Sequence, residues 1–187
     1  TRNSINEPVK AFDVHTGKEI ISYTEAGKLS ETAPDISKKT YAHPVAMGDY
    51  VYIPNGKKLF CLDLKTGNKI WEHSSSDNWV VFPVLDTVGK RIFVGEAPTS
   101  QLNGRYMGGT LSHIVGLDAE KGTLLWRTPS YANLGKGKRQ YPSFSNLLYN
   151  NNSVYALSGA NYNIPDGDAF MTRVDASSGE VKYTTHY

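Results

Sequence analysis

One segment of the chain combines side chains that could bind a small polar or anionic ligand. Residues 95–113 include Glu96, Arg105, Tyr106 and His113, which are a carboxylate, a guanidinium, a phenol and an imidazole. Together these groups supply both donors and acceptors of hydrogen bonds. The alternative interpretation is a loop that packs on itself and leaves its charges in water. We therefore treat these four residues as candidate ligand-binding residues.

A second segment is rich in the oxygen ligands that hard cations prefer. Four such side chains lie within eight residues: Asn161, Asn163, Asp166 and Asp168. The full EF-hand pattern with its terminal Glu is absent, and a turn built on the Pro-Asp-Gly sequence at 165–167 explains the same residues without a metal. This segment is a candidate metal site, and Asn161 and Tyr162 are also candidates for ligand binding.

The other candidate residues are a basic stretch, five histidines and one cysteine. Residues 135–139 read Gly-Lys-Gly-Lys-Arg and could contact a phosphate, a lipid headgroup or an acidic partner, but a solvated loop explains the same run. The histidines lack metal-ligand spacing, and only His43 and His113 fall at predicted loop–strand junctions on the face proposed below. Cys61 lies in a predicted strand, where we expect a buried thiol rather than a nucleophile. No catalytic residue is assigned.

The overall composition excludes several classes of protein. The chain has 187 residues, with 20 Lys and Arg against 18 Asp and Glu and a formal net charge of +2. A nucleic-acid-binding surface over the whole protein would need a strongly basic balance, so no nucleic-acid partner is expected. No apolar run approaches the ~18 residues of a transmembrane helix, so no transmembrane segment is predicted. A single cysteine allows no intrachain disulfide and no CxxC motif.

A repeated segment organises the whole chain and must position any site. In each of four copies an apolar residue lies four residues before an aspartate and a glycine lies four residues after it. A bulky residue follows in the next predicted strand in the last three copies. The repeated residues are Asp13, Gly17, Asp63, Gly67, Trp71, Asp118, Gly122, Trp126, Asp175, Gly179 and Tyr183. Such fixed offsets indicate one structural unit.

Each copy has the features of a β-hairpin. The aspartate opens the turn, where its carboxylate can accept backbone N–H groups, and the glycine supplies the positive φ that the turn requires. The bulky residue, such as Trp71 or Trp126, is suited to packing between neighbouring sheets. A Pro-led strand and an alternating strand precede the last three hairpins. We therefore predict antiparallel units of four strands, named A to D, and no helix.

The repeat resembles that of the PQQ-like, quinoprotein-type β-propeller family. The pattern Asp-x-x-Thr-Gly-Asn-x-x-Trp at 63–71 carries the resemblance, and looser forms begin at Asp13, Asp118 and Asp175. The resemblance implies an all-β fold, a β-propeller of four-stranded antiparallel blades. Residues 1–187 would form one partial propeller, an open arc of about three and a half blades. The expected units are a half-blade at 5–23 and blades at roughly 41–75, 80–128 and 140–187.

The family includes both scaffolds and enzymes. Its BamB-like outer-membrane assembly lipoproteins imply a scaffold or binding module with a protein partner, completed by the rest of a parent propeller or by another chain. Its dehydrogenases imply PQQ and Ca²⁺ as cofactors and the oxidation of alcohols or sugars. Such propellers are mostly exported, which implies a periplasmic or extracellular location. Because every repeated residue has a structural explanation and no catalytic set emerges, we favour a non-catalytic module.

The irregular segments predict which end of the sheets is functional. In antiparallel blades the B–C and D–A connections share one end, and the short A–B and C–D turns share the other. The long connections are expected at 95–113 and 157–170 between strands B and C, and at 22–42, 72–81 and 127–140 between strands D and A. Long loops on a rigid scaffold commonly carry binding groups, so we expect ligand or partner contacts at that end.

Overall fold

All regular structure in the described part of the chain is β-strand. The computed structural model describes residues 9–23, 44–76, 78–98, 113–129, 143–159 and 170–186. Their fourteen strands form one two-stranded hairpin and three four-stranded sheets. Strands that follow one another within a sheet pair antiparallel. The predicted all-β fold of four-stranded antiparallel units is confirmed.

The strands of each sheet lie side by side in chain order. The hairpin consists of β1 (Val9–Phe12) and β2 (Glu19–Tyr23). Sheet 1 consists of β3 (Val45–Met47), β4 (Tyr50–Asn55), β5 (Lys58–Asp63) and β6 (Lys69–Ser74). Sheet 2 consists of β7 (Asn78–Asp86), β8 (Arg91–Pro98), β9 (His113–Asp118) and β10 (Leu124–Arg127). Sheet 3 consists of β11 (Ser143–Asn150), β12 (Ser153–Gly159), β13 (Phe170–Asp175) and β14 (Val181–His186). Within each sheet these are strands A to D.

The turn between strands C and D is built in the same way in all four hairpins. In the first, Oδ1 of Asp13 accepts hydrogen bonds from the N–H groups of His15 and Thr16 at 3.0 and 2.7 Å. The other three repeat aspartates each accept two backbone N–H groups in the same way. The four turn glycines have φ between +67° and +74°. The sequence prediction for these turns is therefore confirmed, and each aspartate is used by the fold.

The tryptophan of strand D packs against the next sheet. Nε1 of Trp126 donates a hydrogen bond to the carbonyl oxygen of Ala176 at 2.9 Å, and the indole stacks on Phe93 with ring centroids 5.5 Å apart. Nε1 of Trp71 donates to the carbonyl oxygen of Ala119 at 3.0 Å. Each tryptophan thus anchors one sheet to the C–D turn of the following sheet, as the prediction of a packing residue requires.

Two apolar cores lie between the sheets. The core between sheets 1 and 2 contains Tyr52, Leu59, Cys61, Val80, Ile92, Val94, Val115, Leu117 and Ala119. The core between sheets 2 and 3 contains Phe93, Ile114, Trp126, Leu147, Val154, Ala156, Val174 and Ala176. Sheet 2 is therefore buried on both faces, which explains why its strands β8 and β9 carry nearly continuous apolar runs.

Several strands extend into segments predicted to be loops. The sequence predicts irregular structure over residues 72–81 and in the segments that start at residues 95 and 157. This prediction is wrong at the edges of the three segments. Strand β6 runs to Ser74, β7 starts at Asn78, β8 runs to Pro98 and β12 runs to Gly159. Backbone pairing explains the extension: Val80 lies opposite Glu96 and continues the ladder beyond the apolar pattern. A register shift in β7 includes Phe82, whose φ is +52°. This irregularity keeps both halves of the long strand paired with β8.

Candidate functional site

The A–B and C–D turns lie at one end of the sheets, and the B–C and D–A connections lie at the other, where sheet 1 also has a compact B–C turn between Asn55 and Lys58. At one end, which we call the short-turn end, strands A and B and strands C and D are joined by compact turns. At the other end, the long-loop end, strand B finishes, strand C begins and strand D finishes. In sheet 2 this end is marked by Glu96, His113 and Arg127. The long connections at 99–112 and 130–142 lie outside the described residues.

A buried carboxylate links sheets 1 and 2 at the long-loop end. The Glu96 side chain is 3% exposed, and its Oε2 lies 2.5 Å from Nη2 of Arg127. Its other oxygen, Oε1, lies 3.5 Å from Nε2 of His73 on β6. We call His73, Glu96, His113 and Arg127 the Glu96 cluster. It is the candidate functional site.

Strand register brings the cluster together. Glu96 on β8 lies directly opposite His113 on β9, so both side chains leave the same face of sheet 2. Arg127 on β10 lies opposite Val115, which packs in the core between sheets 1 and 2. Arg127 therefore also faces sheet 1, and His73 approaches from the outer strand of that sheet. The cluster forms the polar end of the otherwise apolar interface between sheets 1 and 2.

His113 is held in one orientation by the backbone. Its Nδ1 lies 2.7 Å from the carbonyl oxygen of Thr128. Because a carbonyl oxygen only accepts hydrogen bonds, Nδ1 carries a proton. The hydroxyl of Thr128 accepts the N–H of Ile114 at 2.9 Å, which fixes Thr128 in turn. His113 therefore presents its ring to the cluster in a fixed orientation.

Glu96 is ionised at neutral pH in spite of its burial. Burial raises the pKa of its carboxyl group, but the hydrogen bond with His73 and the charge of Arg127 outweigh burial and hold that pKa below its usual value. The Arg127 side chain is 42% exposed. Nη2 of its guanidinium contacts the buried carboxylate, while the side chain as a whole is partly exposed. A cation held in this way is preoriented for an acceptor group on a ligand or partner.

The pairing of Glu96 predicts a specific loss of stability in acid. A carboxyl group with a depressed pKa stabilises the folded state above its unfolded pKa, and that stability is lost as the pH falls through the folded pKa. We expect Glu96→Gln to lower the free energy of unfolding by about 1–2 kcal/mol near pH 7, because Arg127 is partly solvated. The difference from the wild type should become smaller between pH 7 and pH 3, as the pH falls toward the lowered pKa of the folded state. Urea unfolding at both pH values measures it.

Glu72 is a matched control for this experiment. Its carboxylate pairs with Lys58 and Lys69 at 2.9 and 3.0 Å, but all three side chains are partly exposed. We expect Glu72→Gln to change the free energy of unfolding by less than about 1 kcal/mol near pH 7. If Glu96→Gln has no larger effect than Glu72→Gln, or if its effect does not become smaller in acid, the buried pair does not stabilise the sheet interface as described.

The structure describes only part of the predicted set of site residues. Glu96 and His113 lie opposite each other on neighbouring strands at the long-loop end. The other ligand and metal candidates lie outside the described residues: Arg105, Tyr106, Asn161, Tyr162, Asn163, Asp166 and Asp168. The basic stretch 135–139 and His43 also lie outside them. The described residues contain no group of three or more His, Cys, Asp or Glu side chains that could hold a metal.

Sequence reasoning missed two members of the cluster, His73 and Arg127. His73 follows Trp71 by two residues, and Arg127 immediately follows Trp126. Strand D ends at the long-loop end, so residues that follow its tryptophan must lie there. This position in the sequence could have identified His73 and Arg127. Which face each side chain takes depends on a register shift in both C–D hairpins, which the pattern of residue types does not reveal.

A second buried ion pair lies at the short-turn end and has a structural explanation. The Asp86 side chain is 3% exposed and accepts hydrogen bonds from Nε of Arg91 at 2.8 Å and from the N–H of Gly89 at 2.9 Å. Arg91 also donates to the carbonyl oxygen of Ala176 and to Oδ1 of Asn152, both at 2.9 Å. Asp86 thus holds Arg91 in place, and Arg91 connects sheet 2 to sheet 3 by its hydrogen bonds. We therefore do not assign this pair to ligand binding.

Comparison with solved structures shows what kind of sheet assembly this is. BamB from Moraxella catarrhalis matches 98% of this chain and 48% of its own, with a TM-score of 0.60 and 15% sequence identity. The fold is that of a β-propeller. Four-stranded sheets such as sheets 1 to 3 are its blades, and in the described residues they form an open arc. The predicted resemblance to PQQ-like propellers is confirmed for the fold.

Two other solved structures show a similar likeness. The computationally designed Ika8 protein has a TM-score of 0.63 and 11% identity, over 97% of this chain and 44% of its own. A europium-containing methanol dehydrogenase has a TM-score of 0.54 and 18% identity, over 76% of this chain and 24% of its own. The chain thus spans less than half the length of each of these three proteins.

Other comparisons give no match. No protein-family model matches the sequence, and no curated protein matches it. Within the described blades there is no helix of the length and apolar character needed to cross a bilayer.

Proposed function

We propose that this chain is a non-catalytic part of a β-propeller that binds a ligand or a partner protein at its long-loop end. The observation that carries the proposal is the Glu96 cluster, where a buried carboxylate orients the guanidinium of Arg127, an arginine whose side chain is 42% exposed. Loops that could cover or extend such a site leave from the same end of the blades. Preoriented charged groups of this kind favour binding because little side-chain freedom is lost when the complex forms.

The N–H groups of Arg127 that are not paired with Glu96 determine which chemical groups we expect the site to bind. A guanidinium whose one edge is already paired with Glu96 can still donate from its remaining N–H groups to a carboxylate, a phosphate or a backbone carbonyl. The oriented His113 ring adds a second polar group on the neighbouring strand. A ligand or protein surface that offers an acceptor to Arg127 and a polar group to His113 would match both residues.

The reactive groups of the described blades support a non-catalytic role. The Cys61 thiol is fully buried, and burial raises its pKa to about 12, so it is not a thiolate nucleophile at neutral pH. The four repeat aspartates use their carboxylates to accept backbone N–H groups in the turns. Both oxygens of Glu96 already have partners in the cluster.

The alternative function is that of a PQQ- and Ca²⁺-dependent dehydrogenase that acts on alcohols or sugars. Its support is the fold that the chain shares with the europium-containing methanol dehydrogenase. The described residues do not fit such a site: the one buried carboxylate at the long-loop end is paired with Arg127 and His73, and it leaves no free oxygen for a hard cation.

A further part of the proposal concerns the setting of the protein. We propose that further blades, in a parent chain or in another chain, complete the arc, and that the propeller works in the periplasm or outside the cell. Its support is the likeness to BamB and the open arrangement of the blades.

A cofactor titration separates the two functions. PQQ is added to the protein with and without Ca²⁺, and binding is followed by calorimetry while dye reduction is assayed with methanol, ethanol and glucose. We expect no saturable heat up to micromolar PQQ and no cofactor-dependent dye reduction, because Glu96 is already neutralised by Arg127. Dye reduction that requires PQQ would contradict the non-catalytic proposal and favour the dehydrogenase.

A further inference from the structure

Strands D of blades 1 and 2, which are sheets 1 and 2, carry apolar side chains next to the Glu96 cluster. On β10 of blade 2, Leu124 is 57% exposed and Leu125 is 47% exposed. Trp71 on β6 of blade 1 is partly buried. We call Trp71, Leu124 and Leu125 the Leu124 patch. Large apolar side chains that stay in water together often mark an interaction surface.

A bulge in β10 makes Leu124 and Arg127 neighbours on one face of the strand. Leu124 lies opposite Leu117 and Arg127 lies opposite Val115, with a register shift between Leu124 and Trp126. Both Leu117 and Val115 pack in the core between blades 1 and 2. Leu124 and Arg127 therefore face blade 1 side by side, although they are three positions apart in the sequence.

Trp71 and His73 form the matching pair on blade 1. Trp71 lies opposite Cys61, and His73 lies opposite Leu59. Because Cys61 and Leu59 both pack in the core between the two blades, Trp71 and His73 face blade 2. The Trp71 ring reaches the turn before β10, since a Cβ added to Gly122 would lie 2.5 Å from it.

The contact between the two blades thus has an apolar level and a polar level. Trp71 and Leu124 form the apolar level, which is nearer to the short-turn end. His73 and Arg127 form the polar level, where both contact Glu96. Neighbouring positions on one face of a strand are two pleat steps apart, so the two levels are separated by about 7 Å.

The contact between blades 2 and 3 shows that the fold does not need these residue types. Val181 on β14 takes the place of Leu124 and is partly buried against the core. Thr184 takes the place of Arg127, and its hydroxyl pairs with that of Thr172 at 3.1 Å. Small uncharged residues therefore suffice at these positions to hold two blades together. The exposed leucine and the arginine of blade 2 are in excess of what folding requires.

The accessible charge beside the Leu124 patch is positive. The Arg127 side chain is 42% exposed, whereas that of its partner Glu96 is 3% exposed. Nη2 of Arg127 pairs with Glu96, and its other N–H groups donate to none of the residues that the structure describes. An acidic group on a partner therefore meets a cation that is held in place and still has donors to offer.

We propose that the Leu124 patch and Arg127 together bind an extended segment of a partner protein in which an apolar residue lies two positions from an aspartate or a glutamate. Side chains two positions apart in an extended segment point to the same side about 7 Å apart, which matches the two levels. The apolar side chain packs on Leu124 and Trp71, and the carboxylate accepts hydrogen bonds from Arg127. This inference rests on the proposed binding function and names its partner.

The test begins with a phage-displayed library of random twelve-residue peptides that is selected on the full chain. We expect the enriched peptides to share an apolar residue two positions before or after Asp or Glu. Representative peptides are synthesised with a fluorescent label, and fluorescence anisotropy measures their dissociation constants. A selection that enriches no peptide with this spacing overturns the proposal.

Substitutions in the protein show where the peptides bind. Leu124→Ser and Arg127→Ala should each weaken binding by about tenfold or more. Val88→Ser is the control, because Val88 is 93% exposed in the turn between β7 and β8, at the other end of the blades. It should change the dissociation constant by less than about twofold.

The two single variants separate this inference from the proposed function. Binding that survives Leu124→Ser overturns the inference. If that binding is still lost with Arg127→Ala, the long-loop end binds as proposed and only the apolar half of the surface is wrong. Peptides that bind all three variants as well as the wild type overturn the inference and also leave Arg127 without a binding role.

A change in the peptide leaves the fold of the protein untouched. Replacement of the acidic residue by its amide should weaken binding to the wild type by about tenfold. The same replacement should have little further effect on binding to Arg127→Ala, because the carboxylate and the guanidinium contact each other. Equal losses with the two proteins would overturn the proposal.

Vesicles of phosphatidylglycerol test a lipid surface as the other occupant. Apolar side chains beside a cation also suit an anionic membrane. We expect the wild type and Leu124→Ser to stay alike in the supernatant when the vesicles are sedimented. Sedimentation of the wild type that Leu124→Ser abolishes would assign the patch to lipid and overturn the proposal.

Discussion

Replacing Trp126 with alanine should lower the free energy of unfolding by about 3–5 kcal/mol, the range typical of a buried tryptophan. The indole is 8% exposed, stacks on Phe93 and fills the space between blades 2 and 3. The substitution also removes the hydrogen bond from Nε1 to the carbonyl oxygen of Ala176. Urea unfolding followed by far-ultraviolet circular dichroism measures the change.

Tyr183→Ala is the matched control for Trp126→Ala. Tyr183 occupies the same position of the repeat, but its face of blade 3 has no partner among the described residues and its side chain is 40% exposed. We expect a loss of about 1 kcal/mol or less. Equal losses for the two variants would contradict the account of the tryptophan as a contact between blades.

Replacing Asp86 with alanine should have an effect of similar size at the other end of the blades. Asp86 and Arg91 are 3% and 17% exposed, and the substitution leaves the guanidinium without its counter-charge inside the interface. Removal of one member of a buried pair destabilises by about 3–5 kcal/mol. The N–H of Gly89 also loses its acceptor. The same urea experiment applies.

A neighbouring exposed pair provides the control for Asp86→Ala. Lys90 and Glu120 are 2.6 Å apart at the same end of blade 2, and their side chains are 63% and 43% exposed. Glu120→Ala should change the free energy of unfolding by at most about 1 kcal/mol. If Asp86→Ala has no larger effect than Glu120→Ala, Arg91 keeps blades 2 and 3 together without the help of Asp86.

The local structure of the blades could be predicted from the sequence because it depends on neighbouring residues. The turn at Asp63 needs an acceptor at its start and a glycine four residues later, and both requirements are visible in the spacing. The role of Trp126 could be predicted in kind, since a large aromatic residue at a repeated position suits the space between sheets. Its exact acceptor, Ala176, lies fifty residues away and could not be predicted.

The candidate site was only half predicted, for a related reason. Glu96 and His113 fall in one irregular segment, so proximity in sequence suggested proximity in space. His73 belongs to another blade, and Arg127 is brought to Glu96 across an intervening strand. Contacts of this kind depend on strand register and on how blades stack, and both are fixed by packing between distant segments.

The central claim is that the long-loop end binds a ligand or partner and that Arg127 takes part. Its most direct test is a photo-crosslinking amino acid placed at Ser74, which is exposed on β6 beside His73, with Lys121 at the short-turn end as the matched position. In cells that express the protein, we expect a defined crosslinked product from position 74, its loss with Arg127→Ala, and no such product from position 121. The same product from position 121, or a product that Arg127→Ala leaves unchanged, would contradict the claim.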